Sequence, residues 1–249
     1  MAPRWLEGTV VGNVHWTDWL YSLRVEVDQD LPFEAGQFGR LALDIGEERV
    51  ARPYSFVNAP GDTPLEFYSI IVPEGPLSPR LQALTAGDKV WVDPRGAGFF
   101  VLSELPEADH LWMLSTGTGL GPYLSILKTP TLWERFEKVV LVHAVRHMAE
   151  LTYSDSIEGF RQQFPGRFTF APFVSREPSD FALAGRLPHA IDDGRLEKTV
   201  GLPLHPDHSQ VMLCGNPNMV KDTRTALEQR GLKKNRRRTP GHITSENYW

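Results

Sequence analysis

The pattern of apolar residues changes close to the middle of the chain. In the first half, six short β-rich runs follow one another at close spacing, with a single helix candidate around 78–84; the runs are 8–14, 20–27, 38–43, 54–57, 65–71 and 89–92. Such spacing favours closure into an antiparallel barrel. In the second half, strand-like runs at 110–114, 138–144, 168–174 and 210–213 alternate with helical stretches at 123–127, 154–164 and 218–229. This alternation implies a parallel sheet with helices on both faces.

Two domains follow from this change of pattern. We predict an antiparallel six-stranded β-barrel over residues 1–104 and a parallel-sheet α/β domain over residues 105–249, with the linker at 101–109. The length of 249 residues exceeds the usual size of a single core, and a hydrophobic fraction of 41% is ordinary for a globular protein.

Composition also restricts location and chemistry. No apolar run reaches the roughly 18 to 20 residues of a membrane helix, and the N-terminus lacks a basic-then-apolar signal pattern, so we expect a cytoplasmic protein. The single cysteine, Cys214, excludes an intrachain disulfide and a self-contained iron–sulfur cluster. No carboxylate or cysteine completes a zinc set with the histidines at 143, 147, 205 and 208, so we predict no metal site.

Two motifs in the first half suit a flavin dinucleotide. In the segment Arg-Pro-Tyr-Ser at 52–55, the arginine is a forked donor for a pyrophosphate, the tyrosine has a face for stacking, and the serine can hydrogen-bond the edge of a ring. The segment Gly-Pro-Leu-Ser-Pro-Arg-Leu at 75–81 adds a turn with backbone amides, a hydroxyl and another arginine. Each motif also has a structural interpretation, as the start of an edge strand and the start of a helix respectively.

Two motifs in the second half suit a nucleotide. An apolar strand at 111–115 runs into Thr-Gly-Thr-Gly-Leu-Gly-Pro-Tyr at 116–123 and then into a helix, an arrangement that lets backbone amides approach a pyrophosphate. Its glycine spacing differs from the dinucleotide fingerprint. Later, the strand at 210–213 leads into Cys214-Gly215-Asn216-Pro217 and another helix.

In their order and spacing, these four motifs resemble the ferredoxin–NADP reductase family, and among its members the bacterial ferredoxin or flavodoxin NADP reductases. The resemblance covers about residues 10–249. It implies a Rossmann-like C-terminal domain that binds NADP, a barrel that binds non-covalent FAD, and an enzyme that passes hydride from NADPH to FAD and single electrons to ferredoxin or flavodoxin. For the terminal Tyr248-Trp249 it leaves two positions open, on the flavin ring or near the FAD adenine. A third interpretation is a tail aromatic that only fills a surface groove.

The resemblance also implies site residues. Ser55 and Tyr54 are expected at the flavin ring, and Cys214 near the nicotinamide, although a lone cysteine is more often a packing residue. The expected FAD contacts are Arg52, Pro53, Tyr54, Ser55, Tyr68, Gly75, Pro76, Leu77, Ser78, Thr116, Tyr248 and Trp249. The expected NADP contacts are Gly117, Val145, Arg146, Ser175, Arg176, Arg186, Cys214, Gly215 and Asn216.

Arginines after the sheet strands favour NADP over NAD. The 2′-phosphate of NADP attracts several forked cations, whereas an acidic residue usually holds the corresponding hydroxyl of NAD. Arg146 and Arg176 follow predicted strands and Arg186 comes ten residues later; we expect all three at the carboxyl edge where open α/β sheets bind ligands. We call these three residues the arginine triad.

Charge differs between the two halves. Residues 1–104 hold 15 acidic and 8 basic side chains, and the remainder holds 16 acidic and 18 basic, which together give the net charge of −5. The basic segment, residues 230–238, contains six of these cations. Without interleaved aromatic residues it does not indicate nucleic acid, and we interpret it either as a solvated surface or as a surface that attracts an acidic electron carrier.

Two other functions remain open from the sequence. One is a related enzyme, a free-flavin reductase or the reductase component of an oxygenase. The other is a non-enzymatic redox sensor that binds flavin and nucleotide. We expect a monomer.

Overall fold

The computed structural model describes residues 5–248 and divides them into two compact units. The first unit comprises the chain up to Val101 together with Gly121–Thr129, and the second comprises Leu102–Leu120 with the chain from Pro130 onward. Within the described residues, no helix combines the length and apolar character that crossing a membrane requires.

The first unit is built on a six-stranded antiparallel sheet. Its strands are β1 (Leu6–His15), β2 (Leu20–Glu26), β3 (Phe38–Ile45), β4 (Glu48–Ser55), β5 (Leu65–Ile70) and β6 (Lys89–Val92), in the spatial order β4-β3-β6-β1-β2-β5. Beyond β4, Phe56 bridges Phe67 of β5, and the amide of Val57 donates to Glu66 O at 2.9 Å. These contacts join the two edge strands, so the sheet closes into the predicted barrel.

The interior of this barrel is apolar. Val10, Leu23, Leu41 and Phe67 point into it and are almost completely buried, as the period-two alternation of half-buried strands requires. The short helix α1 (Ser78–Gln82) contributes Leu81 to the same core.

Helix α2 (Gly121–Leu127) belongs to this first unit, although it follows a strand of the second. Its Ser125 hydroxyl donates to Asn58 O at 2.7 Å, and the following Lys128 ammonium donates to Val57 O at 2.9 Å. Every residue of α2 is buried. The helix is therefore attached to the segment directly after β4.

The second unit contains a six-stranded parallel sheet. Its strands are β7 (His110–Thr116), β8 (Lys138–Val145), β9 (Phe168–Val174), β10 (Leu183–Ala184), β11 (Ser209–Gly215) and β12 (Ile243–Asn247), in the order β10-β9-β8-β7-β11-β12. All five neighbouring pairs are parallel, which confirms the predicted α/β architecture. The seven residues of β11 are all buried, as in a sheet that is covered on both faces.

The helices of the second unit are α3 (Pro130–Arg135), α4 (Ser154–Gln163), α5 (Leu187–Asp192), α6 (Arg195–Val200) and α7 (Pro217–Gln229). Helix α7 begins where sequence signals place it, because Asn216 accepts from the amides of Asn218 and Met219 and Pro217 occupies the first turn. The sequence patterns did not reveal α3, α5, α6, β10 or β12, which are all short.

Candidate functional site

The Arg-Pro-Tyr-Ser segment lies at the end of β4, the first strand in the order of the antiparallel sheet. Pro53 is paired with Arg40 and Tyr54 with Gly39, and an edge position is where a strand tolerates proline. Strand β4 begins at Glu48, six residues before the predicted start, so the motif ends a strand rather than starting one.

The side chains of this segment differ in exposure. Arg52 is exposed and donates to Ala51 O at 2.7 Å, whereas Ser55 is buried with 6% exposure. Tyr54 is half-buried, and desolvation raises its pKa to about 12 although Arg52 opposes this. The segment therefore presents a cation and a neutral phenol next to a buried hydroxyl.

The Gly-Pro-Leu-Ser segment is brought close to Tyr54 by Tyr21. The Tyr21 hydroxyl donates to Ser78 O at 3.1 Å. Tyr21 and Leu77 belong to the barrel core, and Tyr54 packs against the same core. Burial raises the pKa of Tyr21, and Tyr54 raises it further. The two motifs predicted to bind a flavin thus meet in one unit.

Two polar groups of the Gly-Pro-Leu-Ser segment, one amide and one hydroxyl, form hydrogen bonds within the barrel unit. The amide of Gly75 donates to Val72 O at 2.8 Å, and the Ser78 hydroxyl accepts from the amide of Val72 at 2.9 Å. Leu77 is buried in the barrel core, and Pro76 is exposed. Tyr68 lies in β5, opposite Ser22 of β2, and is also buried.

The glycine-rich turn starts at the end of β7 and lies against the end of β11. A Cβ atom on Gly119 would stand 2.5 Å from Cys214 O and 2.9 Å from Gly215 N. Gly215 has a φ of 137°, and a Cβ there would stand 2.3 Å from the Thr116 hydroxyl oxygen. Only glycine fits at either position.

Hydrogen bonds fix the same turn. Thr116 Oγ1 accepts from the amide of Asn216 at 3.0 Å. The ring Nε2 of His143 lies 3.0 Å from Gly117 O, and because a carbonyl only accepts, that nitrogen carries the proton. His143 is fully buried, and desolvation lowers its pKa to about 4, so the ring is neutral near pH 7. The sequence pattern contained one signal for this role, a single histidine within an apolar strand.

The arginine triad occupies the carboxyl ends of three adjacent strands. Val145, Val174 and Ala184 are neighbours in register at the ends of β8, β9 and β10, and Arg146, Arg176 and Arg186 follow within two residues. The amide of Arg176 donates to Arg146 O at 3.0 Å, and both the amide and the hydroxyl of Ser175 donate to Val145 O at 3.1 Å. All three arginines are exposed. Among residues 5–248, none of their guanidinium groups forms a salt bridge.

The tail adds a sixth strand beside β11. In the parallel pair of β11 and β12, Cys214 faces Glu246, and the amide of Tyr248 donates to Gly215 O at 2.8 Å. Burial raises the pKa of the Cys214 thiol, and Glu246 raises it further. The thiol is 0% exposed and in register with a carboxyl group. Trp249 lies outside the described residues.

Sequence reasoning missed Glu246. Desolvation raises the pKa of its carboxyl group to about 7, and within the part of the chain that the structure describes, its buried Oε2 has no hydrogen-bond partner. No local signal in the tail reveals this, because the burial of Glu246 depends on the register between β12 and β11.

Similarity to known proteins gives the class and then the family. The model of the oxidoreductase NAD-binding domain family matches residues 113–225. A flavodoxin/ferredoxin–NADP reductase of Escherichia coli K12 is 50% identical over 246 residues, which cover 98% of this chain and 99% of the relative. A ferredoxin–NADP reductase of Pseudomonas aeruginosa PAO1 is 39% identical over 227 residues, 88% of this chain and 87% of the relative.

A solved structure agrees with these relatives. The ferredoxin NADP+ reductase of Neisseria gonorrhoeae, determined with bound FAD and NADP, has a TM-score of 0.93 and 32% identity, and covers 98% of both chains. The combined barrel and parallel sheet is thus the architecture of an oxidoreductase. The chain belongs to the flavodoxin/ferredoxin–NADP reductase family, which confirms the resemblance found in the sequence.

Proposed function

We propose that this chain is a flavoprotein reductase that transfers a hydride between NADPH and FAD and single electrons between FAD and ferredoxin or flavodoxin. The observation that carries the proposal is the 50% identity to the Escherichia coli flavodoxin/ferredoxin–NADP reductase over nearly the full length of both chains. Bound together, the two cofactors supply hydride chemistry and the conversion of two-electron to one-electron transfer, and the protein supplies binding and orientation.

The residues at the end of β4 suit FAD. Arg52 offers exposed guanidinium N–H groups for a pyrophosphate, Tyr54 offers a neutral aromatic face, and Ser55 offers a hydroxyl at the edge of a ring. The adjacent Gly-Pro-Leu-Ser segment, the buried Tyr68, Thr116 and the terminal Tyr248-Trp249 are the further contacts that we assign to FAD. We assign FAD binding to the domain of residues 1–104, with further contacts from Thr116 and Tyr248-Trp249 later in the chain.

The carboxyl edge of the parallel sheet suits NADP. Gly119 and Gly215 let the glycine-rich turn and the end of β11 lie against each other at this edge, and the arginine triad supplies forked cations without competing salt bridges among the described residues. Gly117, Val145, Ser175, Cys214, Gly215 and Asn216 complete the proposed NADP set, within residues 105–249. The thiol of Cys214 is neutral because burial raises its pKa, so it adds no charge to the proposed site. Its position in β11 is opposite Glu246 of β12.

The purified protein tests the proposal directly. We expect it to be yellow, with about one FAD per chain, and to reduce ferredoxin and flavodoxin with NADPH at a kcat/KM at least about tenfold above that with NADH, a difference of roughly 1.4 kcal/mol. The measurement is steady-state reduction of both carriers with the two nicotinamides in parallel. A protein that binds flavin only as a substrate is a free-flavin reductase, and one without turnover with ferricyanide is a sensor; either result contradicts the proposal.

The acceptor is proposed to be guided by the basic segment. Arg230 pairs with Glu197 at 2.5 Å and Arg237 pairs with Glu104 at 2.5 Å, so these two cations are neutralised within the unit. The other four cations of the segment are exposed: Lys233, Lys234, Arg236 and Arg238. Two hydrogen bonds between Arg236 and Thr239, of 3.0 and 2.9 Å, form a tight turn that holds Arg238 at its tip.

Charge reversal in the basic segment is expected to slow reduction of the acidic carriers. The double variant Lys233→Glu with Arg238→Glu should lower kcat/KM for flavodoxin about tenfold at low salt, because electrostatic steering raises association rates by 10-fold or more. Stopped-flow rates measured against ionic strength check this, with Lys198→Glu on α6 as the matched control. The KM for NADPH should not change. Rates that are independent of salt in the parent protein would exclude steering by this segment.

A further inference from the structure

Two glutamates, Glu150 and Glu177, lie among the arginine triad. An acidic residue after a strand of such a sheet commonly holds the ribose 2′-hydroxyl of NAD. A free carboxylate would also repel the 2′-phosphate of NADP. The position of the two glutamates therefore conflicts, at first sight, with the proposed preference for NADP.

Their hydrogen bonds show that both carboxylates have a structural use within the protein. Glu150 Oε2 accepts from the amides of Arg146 at 2.8 Å and His147 at 3.3 Å. Glu177 Oε1 accepts from the amide of Met148, and its Oε2 lies 3.6 Å from His147 Nδ1. Three consecutive amides after β8 thus donate to two carboxylates, through Oε2 of Glu150 and Oε1 of Glu177.

These contacts fix the backbone that carries the triad. Arg146 is held on both sides, since its amide donates to Glu150 and its carbonyl accepts from the amide of Arg176 at 3.0 Å. Glu177 directly follows Arg176, so its bond to Met148 joins the ends of β8 and β9 a second time. The guanidinium groups of Arg146 and Arg176 remain exposed and unpaired among residues 5–248.

We propose that Glu150 and Glu177 are positioning residues that select NADP over NAD by fixing the backbone that carries Arg146 and Arg176. This inference rests on the proposed function, because it concerns the same nucleotide site. The backbone amides at the end of β8 are already bonded, so the 2′-phosphate is recognised by arginine side chains.

Alanine and glutamine variants separate positioning from charge. Glu177→Ala and Glu150→Ala should each raise the KM for NADPH and the Kd for 2′-phosphoadenosine 5′-phosphate about five- to tenfold, the size expected for losing one typical intramolecular hydrogen bond. The KM for NADH should stay within about twofold, because NADH lacks the phosphate. Glu177→Gln and Glu150→Gln keep an acceptor oxygen and should restore NADPH binding. Glu158→Ala on α4, whose carboxylate binds Arg161, is the matched control.

Arg176→Ala makes the possible failures distinguishable. If Arg176→Ala raises the KM for NADPH at least about tenfold over that for NADH and both glutamate-to-alanine variants leave it unchanged, the positioning role is wrong and the NADP site stands. If Arg176→Ala affects both nicotinamides equally, the proposed NADP site itself is wrong. FAD content and the melting temperature are measured for every variant, and equal losses of NADPH and NADH binding in the alanine variants would indicate general disruption and overturn the inference.

Discussion

Replacing Gly119 with alanine is expected to weaken the binding of NADP+ at least about tenfold while FAD stays bound. The new Cβ would stand 2.5 Å from Cys214 O and 2.7 Å from the carbonyl carbon of the same residue. Both are backbone atoms of a fully buried strand, which a side-chain rotation cannot remove. The glycine-rich turn must then move away from β11, at a cost of about 1–3 kcal/mol. Isothermal titration of the FAD-loaded protein with NADP+ measures the effect.

A second glycine gives the control for this variant. Gly159 lies in α4, and a Cβ there would meet no atom within 4 Å. Gly159→Ala should leave NADP+ binding unchanged and stabilise the protein by about 0.5–1 kcal/mol, because alanine favours a helix. If Gly119→Ala binds NADP+ as tightly as the parent, close contact between the turn and β11 is not required for nucleotide binding.

The sequence predicted the apolar strands of the parallel sheet and the strand ends at which the glycine-rich and Cys-Gly-Asn-Pro motifs begin. The runs before Gly117 and Cys214 appear as β7 and β11, because a parallel strand that is buried on both faces must be apolar along its length. The glycines of the turn were predicted for their approach to a pyrophosphate, and that role stays a prediction. The structure shows a different use, because Gly119 and Gly215 lie in close contact with the opposite chain segment.

Strand β4 was only partly predicted, for an identifiable reason. Its first two residues, Glu48 and Arg49, are charged and exposed, so the alternation of apolar residues is absent. The strand forms because it pairs with β3 in a hairpin, in which Ile45 faces Glu48 across a turn at Gly46 with a φ of 62°. Pairing with a neighbour outweighs local propensity in such a strand.

The tail shows the same limit more clearly. Residues 243–247 have little apolar pattern, yet they form β12 because β11 offers an unpaired edge in the sheet order. That register places Glu246 beside Cys214, and a contact between residues 32 positions apart is not visible in a local pattern. Similarly, the attachment of α2 to the segment after β4 depends on Ser125 and Lys128 contacts that no periodicity predicts.

Replacing Glu246 with glutamine is expected to change how stability depends on pH. The carboxyl group has a pKa of about 7 in the folded protein, because burial disfavours its charged form, against an ordinary value of 4.5 when unfolded. Below pH 4.5 the carboxyl group is neutral in the folded and the unfolded protein, so its pKa shift does not change the free energy of unfolding. Between pH 4.5 and 7 the unfolded chain releases the proton first, so folding loses stability as pH rises. Above pH 7 the loss is complete, at roughly 3 kcal/mol.

The glutamine amide does not titrate in this range, so the stability of the variant does not decrease between pH 4.5 and 7 for this reason. From pH 5 to pH 8 the melting temperature of the parent should fall relative to Glu246→Gln by roughly 5–10 °C, since about 1 kcal/mol moves it by 2–4 °C in a chain of this size. Calorimetry of both FAD-loaded proteins measures the difference between their melting temperatures at each pH. The other titrating groups are the same in both proteins, so their contributions cancel in this difference. Glu158→Gln is the control, because Arg161 lowers the pKa of Glu158 to about 2 and its contribution is constant over this range. A parent and Glu246→Gln variant with parallel pH profiles would mean that Glu246 is hydrated and ionised in the native protein.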